Sequence, residues 1–382
     1  MSSNGWREVR LGDEVKLLYG KSLVKSKRNG NGKVPVFGSN GCIGLHNEAL
    51  KKEAGVIIGR KGTVGAIHYS HVPFYAIDTT YYLDSGNNDV KFMYYFFQIL
   101  GLNDMNTHSA VPGLNRENVY NLIVTLPKIG EQKTIAATLS CLDDKIELNN
   151  RINKTLEEMA QAIFKSWFVD FEPFQNGEFI DSELGKIPKG WRVSSLDSIA
   201  CYMNGIAMQK YKPEAEEFLP VIKIKELNQG FTDNNSDKAS INIPEQHIIR
   251  NGDVLFSWSG TLLVKIWAGD IGGLNQHLFK VTSENYDKWF YYLWTLNYLD
   301  KFRAIAEDKA TTMGHIKRKH LSEAMVLIPK FSDMNYMSNI MNPVIDKITE
   351  LNSQNSCIRL IRDALLPKLM SGEVRVPIEE VL

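Results

Sequence analysis

Basic side chains set among small, turn-forming residues are the first feature that could do chemistry. Between Lys16 and Lys33 stand six cations, Lys16, Lys21, Lys25, Lys27, Arg28 and Lys33, with no carboxylate and with Gly and Asn interleaved. The pattern predicts a flexible basic loop whose ammonium and guanidinium groups could meet phosphate oxygens. Arg60 and Lys61 stand between Gly59 and Gly62, where an Arg could approach a groove and make bidentate contact with guanine. A further cluster joins Thr311 and Thr312 to His315, Lys317, Arg318, Lys319 and His320, residue types suited to backbone phosphate contact. A charge run is as readily a solvated face, so both readings stay open for each cluster.

Catalytic constellations are weaker. Glu307-Asp308-Lys309 and Asp143-Asp144-Lys145 have the carboxylate-x-Lys spacing of metal nucleases, a spacing common by chance. Adenine methylation needs a Gly-rich cofactor loop and an Asn/Asp-Pro-Pro-aromatic motif that grips a flipped base; Asn342-Pro343-Val344 and Ile243-Pro244 do not supply it. No GxxxxGK[ST] loop occurs. His247 and His277 have no partner at metal-ligand spacing and read as structural. Cys42, Cys141, Cys201 and Cys357 form no CxxC pair, so they predict neither disulfide nor zinc and are expected to be reduced and mostly buried. The expectation is no catalytic residue, no metal and no cofactor.

The elements that position these groups come from a chain of 382 residues, 43% hydrophobic and 23% charged, long enough for two ordinary domains with connecting structure. Its formal net charge is zero, which counts against a nucleic-acid binder, since most such domains carry excess Lys and Arg. No apolar run approaches the roughly 20 residues of a membrane span. MSSNGWREVR lacks the apolar core of a secretory signal, so a cytoplasmic protein without membrane contact is expected.

The chain is written twice. Gly5-Trp6-Arg7 recurs as Gly190-Trp191-Arg192 and Val34-Pro35-Val36 as Leu219-Pro220-Val221, both at an offset of 185. Lys91 to Tyr95 answers Lys288 to Tyr292 at 197, and Gly62-Thr63 answers Gly260-Thr261 at 198. Ile123 to Lys128 (IVTLPK) answers Met325 to Lys330 (MVLIPK) at 202, and Leu148-Asn149 answers Leu351-Asn352 at 203. An ordered ladder with drifting spacing is the product of duplication followed by loop insertion. Short β-type runs at Gly55 to Ile58, Tyr81 to Leu83, Asp253 to Ser257 and His277 to Val281 predict strands. Val90 to Leu100 and Asp287 to Leu299 predict helices whose aromatics fill a core.

Each copy ends in a long helix. Ile135, Leu139, Leu142 and Ile146 step by four and three, the seam of a coiled coil, resumed by Leu156, Met159, Ile163 and Trp167. Met337, Met341, Val344, Ile348 and Leu351, then Asn355, Ile358, Leu365 and Leu369, form a second seam. Two seams in one chain should zip together antiparallel, with Asn153 and Asn355 fixing register. Helices of roughly 25 to 35 residues would be about 40 to 50 Å long, against about 34 Å per turn of B-DNA. Pro343 should mark a first turn and Pro367 should end or kink the second helix. Gly372-Glu373-Val374 echoes Gly177-Glu178-Phe179, so a returning second helix should bring the C-terminus near Gly5-Trp6-Arg7.

GWREVRLGDEV (Gly5 to Val15), GRKGTVG (Gly59 to Gly65), IDTTYYL (Ile77 to Leu83) and NRINKTLEEMAQAIFKSWFVDFEP (Asn150 to Pro173) carry a family resemblance in the first half. LPVIKIKELN (Leu219 to Asn228), GDVLFSWSGTL (Gly252 to Leu262), LNQHLFKV (Leu274 to Val281), TTMGHIKRKHL (Thr311 to Leu321) and LLPKLMSGEV (Leu365 to Val374) carry it in the second. Together these segments resemble the specificity (S) subunits of type I restriction-modification enzymes along essentially the whole chain.

That resemblance implies an α+β fold: two pseudo-symmetric target recognition domains, residues 1–130 and 173–332, joined by a central spacer helix 131–172 and a C-terminal spacer helix and tail 333–382. It implies that each domain recognises part of a split double-stranded DNA target and that the helices measure the gap. The expected partners are two adenine methyltransferase subunits and, for cleavage, ATP-driven restriction subunits. VPVFGSNG (Val34 to Gly41) stands where the second half has LPVIKIKE, so the target should be asymmetric. The competing readings are a coiled-coil scaffold with two peptide-binding domains and a nuclease or methyltransferase with its own active site.

Overall fold

The computed structural model describes residues 5–28, 32–105, 113–213, 216–308 and 314–377. The chain divides into two compact α+β units, Met1–Asp144 with Leu360–Leu382, and Lys145–Arg359. In the first unit Arg7–Arg10 pairs antiparallel with Ile123–Leu126. A four-stranded sheet has the order Lys16–Tyr19, Thr80–Asp84, Gly55–Gly59, Ile67–Ser70, and a three-stranded sheet sets Val34–Gly38 between Gly41–His46 and Tyr75–Ala76. Every residue of Gly55–Gly59 is buried, so an unbroken apolar run stands there instead of an alternating one. Helix Val90–Gln98 packs on this strand. It starts where the Asp89 carboxylate accepts the Phe92 N–H at 2.8 Å, and it buries Phe92, Met93, Tyr95, Phe96 and Phe97 as core.

The second unit repeats this order. Arg192–Ser195 pairs with Met325–Ile328, and a four-stranded sheet runs Cys201–Asn204, Leu278–Thr282, Val254–Ser257, Val264–Ile266. A further sheet runs Lys238–Ala239, Leu219–Ile222, Gly272–Leu274, Ile248–Ile249. The repeat holds residue by residue: Tyr19 faces Tyr81 as Asn204 faces Phe279, and the parallel pair Val36 with Tyr75 recurs as Val221 with Gly273. The growing offset has a structural cause. Between the strand pairs where the offset grows most, the second unit carries helix Ile224–Gln229 and the short strands Lys238–Ala239 and Ile248–Ile249 before Val254–Ser257.

The two long helices are Ile129–Phe168 and Phe331–Ser371, 40 and 41 residues, longer than the 25 to 35 expected. Both contribute to both cores. Ile135, Ala136 and Leu139 join Leu366, Leu369 and Met370 in the first unit; Ala160, Phe164, Trp167 and Phe168 join Met337, Met341, Ile345 and Ile348 in the second. Their pairing is antiparallel: Asn149 meets Asn355 and Asn153 meets Asn352 within the second unit, and Asp143 meets Arg362 at 2.7 Å within the first. Of the expected seam, Ile135, Leu139, Ile146, Met341, Ile348, Leu351 and Asn355 are buried. Leu142 and Val344 are only half-buried, and Ile345 takes the buried place beside Val344, because an α-helix drifts about 20° per heptad from a strict 3.5-residue seam.

Two local expectations are corrected. Pro343 and Pro367 lie inside the second helix, neither starting nor ending it. The lost hydrogen bonds are outweighed by buried side chains around each, Met341 and Ile345 in one case, Leu366 and Leu369 in the other. All four cysteines are exposed, since none falls on a buried face of its strand or helix.

A tryptophan closes each unit. Trp6 Nε1 donates to Glu131 Oε2 at 3.0 Å, and Trp191 Nε1 donates to Asp333 Oδ2 at 2.9 Å, each acid standing in the first turn of a long helix. Around Trp6 the returning chain brings Gly372 and Arg375, whose guanidinium lies 5.6 Å from the indole centroid. Around Trp191 the corresponding cover is Phe168, Phe171 and Phe174. The C-terminal segment therefore returns to Trp6, as the glycine echo predicts.

Candidate nucleic-acid interface

In the first unit the expected Arg60 and Lys61 sit at the end of Gly55–Gly59, in a loop that only glycine can fold so tightly. A Cβ on Gly59 would meet Thr63 O at 2.1 Å, and Gly65, at φ +75°, would meet Asn103 N at 2.4 Å. Arg60 donates through Nε and Nη2 to Asp78 O at 3.2 and 2.7 Å, which fixes its fork. The guanidinium carbon lies 5.2 Å from the Tyr19 ring and 5.9 Å from Tyr81. Arg116 lies 5.2 Å from the same Tyr19 ring and 3.4 Å from Glu117 Oε1. Lys61 bridges to Gly113 and is exposed. Burial pushes the Tyr81 phenol up to about 12, Tyr19 adding to the shift and Arg60 and Arg116 opposing it, so it keeps its proton and donates to Leu114 O at 3.1 Å. Two guanidiniums and an exposed phenol thus share one end of the sheet, able to offer fixed donors and a ring face to a planar anionic partner.

The same end of the second unit carries different groups. The hydrogen bonds Arg60 N to Thr79 O and Leu114 N to Arg60 O recur as Trp258 N to His277 O and Ile316 N to Trp258 O. Trp258 therefore occupies the place of Arg60, and His277 that of Thr79. His277 Nδ1 is 3.0 Å from Ser259 Oγ, its ring 5.9 Å from Trp258, and the expected His315 stacks edge-on at 6.4 Å from Trp258. Arg318 lies 5.8 Å over Phe279. Lys317 and Lys319 are exposed beside it, Lys319 facing Glu323 at 4.0 Å. Thr311 and Thr312 lie outside the described residues.

The long basic stretch is divided. Lys16 belongs to strand Lys16–Tyr19, and the following loop is anchored: Lys21 N–H donates to Ala76 O at 2.9 Å, and Leu23 is buried. Arg28 donates twice to Leu23 O, at 3.1 and 2.7 Å, so its guanidinium holds its own loop. Lys21, Lys25, Lys27 and Lys33 are exposed.

Each unit also has a cleft of mixed charge toward the other end of its central strands, about 300 Å³ lined by Asp13, Glu14, Asp84, Arg7 and Lys16, and about 590 Å³ lined by Asp197, Glu284 and Arg318, so Arg318 borders this cleft as well as the Phe279 ring. Asp143, from the nuclease-like triplet, accepts from the Tyr95 hydroxyl at 2.6 Å and from Arg362, a structural use. Lys309 of the other triplet lies outside the described residues. Among the described residues no group of three His, Cys, Asp or Glu stands where it could hold a metal ion, and no helix is long and apolar enough to cross a membrane.

Sequence reasoning missed Arg116, Tyr19 and Trp258. The ladder itself held the signal for the first, because Arg116 stands at the offset of 202 from Arg318, each opening a short helix, Arg116–Tyr120 and Arg318–Ser322.

The family model described as a type I restriction modification DNA specificity domain matches residues 3–158 and 188–356. The type I restriction enzyme MjaIX specificity subunit of Methanocaldococcus jannaschii is 30% identical over 304 residues, 75% of this chain and 69% of its own. The HindI specificity subunit of Haemophilus influenzae is 21% identical over 373 residues, 78% of this chain and 81% of its own. A solved type I restriction-modification S subunit from M. genitalium shares the fold, with a TM-score of 0.60 at 16% identity over 97% of both chains.

Proposed function

This chain belongs to the type I restriction modification DNA specificity family, and from that premise we propose that each unit reads one part of a split, asymmetric double-stranded DNA target while the paired helices set the interval. One observation carries the reading: two units share a single strand register and present different side chains at its corresponding loop positions, Arg60 against Trp258 and Thr79 against His277. A frame repeated with altered contact residues suits two different short sequences on one duplex.

In this reading residues 1–130 and 173–332 are the target recognition domains, and 131–172 and 333–382 are the spacer segments. The contacting set comprises Lys21, Lys25, Lys27, Lys33, Arg60, Lys61, His315, Lys317, Arg318 and Lys319, joined by Arg116 and Tyr19. The chain itself performs no catalysis and needs no cofactor. Methylation and ATP-driven cleavage belong to partners, two methyltransferase subunits and the restriction subunits, and the work on chromosomal DNA is cytoplasmic. The test is a gel shift of the full chain on duplex DNA at rising salt. Affinity should fall steeply and linearly on a log–log plot as counterions compete; absence of binding at low salt refutes the reading.

A further inference from the structure

The two units allow a comparison that rests on this DNA-reading function and divides their exposed groups by role. Flanking strands fix the correspondence: Lys16–Tyr19 and Val34–Gly38 match Cys201–Asn204 and Leu219–Ile222 at a constant offset of 185. Lys25 and Lys27 therefore recur as Lys210 and Lys212, and all four are exposed. At the offset of 202, Arg116 recurs as Arg318, each with its guanidinium beside an aromatic ring of the central sheet, Tyr19 in one unit and Phe279 in the other. Between these recurring cations the frame carries unlike residues: Arg60 against Trp258, Thr79 against His277, Gly113 against His315.

We propose that the recurring cations, Arg116 with Arg318 and the paired lysines, grip phosphates in both half-sites, whereas Arg60 and His277 determine which bases each half-site carries. The physical ground is that every half-site presents the same phosphate backbone, so groups that hold it gain nothing by differing, whereas base edges differ and must be met by different side chains. The local geometry agrees. Arg60 is immobilised by two hydrogen bonds to Asp78 O, and among the described residues its Nη1 has no hydrogen-bond partner, which leaves an oriented donor for a base edge. His277 is ordered through both ring nitrogens, Nδ1 3.0 Å from Ser259 Oγ and Nε2 3.3 Å from Gln276 Nε2, so a base edge reaches its Nε2 by displacing the Gln276 amide beside the Trp258 ring. Arg116 and Arg318 have guanidiniums at the rim, about half-exposed in the case of Arg116, as a backbone contact requires.

The experiment uses the full chain with two probes, a pool of duplexes of randomised interior and one fixed duplex of unrelated sequence. Arg116→Ala and Arg318→Ala should each weaken binding to both probes by a similar factor, about three- to tenfold, and flatten the log affinity against log salt slope by about 1. The sequences selected from the pool should stay those of the wild type. Arg116→Lys, which keeps the charge but not the fork, should retain the slope. Arg60→Lys should preserve the slope but relax the selected bases of one half-site, and His277→Ala should relax only the other; thermal melts of each variant establish that it is folded. A changed consensus in the Arg116 or Arg318 variants, or an unchanged consensus in folded Arg60→Lys and His277→Ala, overturns the division. Failure of the wild type to retain any duplex instead sinks the DNA-reading function, and this proposal with it.

Discussion

Asn149 Nδ2 donates to Asn355 Oδ1 at 2.9 Å across the two long helices, with both side chains buried. Asn355 Nδ2 in turn donates to Asn150 Oδ1 at 2.8 Å, and Asn153 Nδ2 to Asn352 Oδ1 at 2.7 Å. A layer of amides that pair in only one alignment, with Asn149 Oδ1 and Asn153 Oδ1 left without a partner among the described residues, penalises any slip of one helix along the other, at some loss of stability against an apolar seam.

Asn355→Ala should therefore destabilise the second unit by about 1 to 3 kcal/mol, because the buried Asn149 loses its shorter acceptor and keeps only Gln354 Oε1 at 3.4 Å, while Asn150 loses its donor. Replacing both Asn149 and Asn355 by Leu should restore or exceed the original melting temperature. Thermal unfolding followed by circular dichroism measures both, and a double variant less stable than Asn355→Ala rules out a register role.

Glu131 is buried and its Oε2 accepts from two chain-distant residues, Trp6 Nε1 at 3.0 Å and Arg375 Nη2 at 2.9 Å, with Arg375 Nε in ionic contact with Oε1 at 2.6 Å. Glu131→Ala should cost the first unit roughly 2 kcal/mol, below the range for a fully buried pair because the Arg375 side chain is 40% exposed. Trp6 fluorescence should shift as its indole loses the carboxylate. An unaltered emission and an unchanged denaturant midpoint would show that the C-terminal segment does not brace this unit.

Arg7 forms a two-pronged pair with Glu14, 2.5 and 2.6 Å. The hydrogen bonds from Arg7, with a further one from Asn88, hold the Glu14 carboxyl below its ordinary 4.5 despite burial acting the other way. A depressed folded-state value means the pair stabilises the fold above pH 4.5 and that this contribution is lost as pH falls through the lower, folded-state value. Glu14→Gln should accordingly lose stability at neutral pH while showing a shallower acid dependence below that point. Parallel urea titrations at several pH values check it, and identical slopes for both proteins would refute the linkage.

Four residues added to each long helix, about one turn or 6 Å, should widen the unread interval of the DNA target without changing the bases read on either side. Sequencing of methylated sites in a host carrying the variant reads the interval directly. An unchanged interval excludes the helices as the spacer.

The sequence by itself determined the duplication, the α+β class, the long helices and the core aromatics, because each is written in local periodicity or in a repeated order. GWR recurs unchanged, and VPV and IVTLPK recur as LPV and MVLIPK in equivalent strands, although Ile123–Leu126 is largely exposed where Met325–Ile328 is largely buried. It also placed Asn355 on the seam, as one amide interrupting an apolar stripe is visible without coordinates. Pro343 and the cysteines were misread because their fate depends on packing elsewhere: Pro343 lies inside a helix between the buried Met341 and Ile345.

Only the tertiary structure decided which cations act together. Arg60 and Arg116 are far apart in sequence, and the fold alone brings their guanidiniums to one Tyr19 ring. It also removed Arg28 from the free basic set by committing its guanidinium to Leu23 O. Charge type is a property of a residue, whereas a binding face is a property of the register between strands, and register is fixed by contacts distant along the chain.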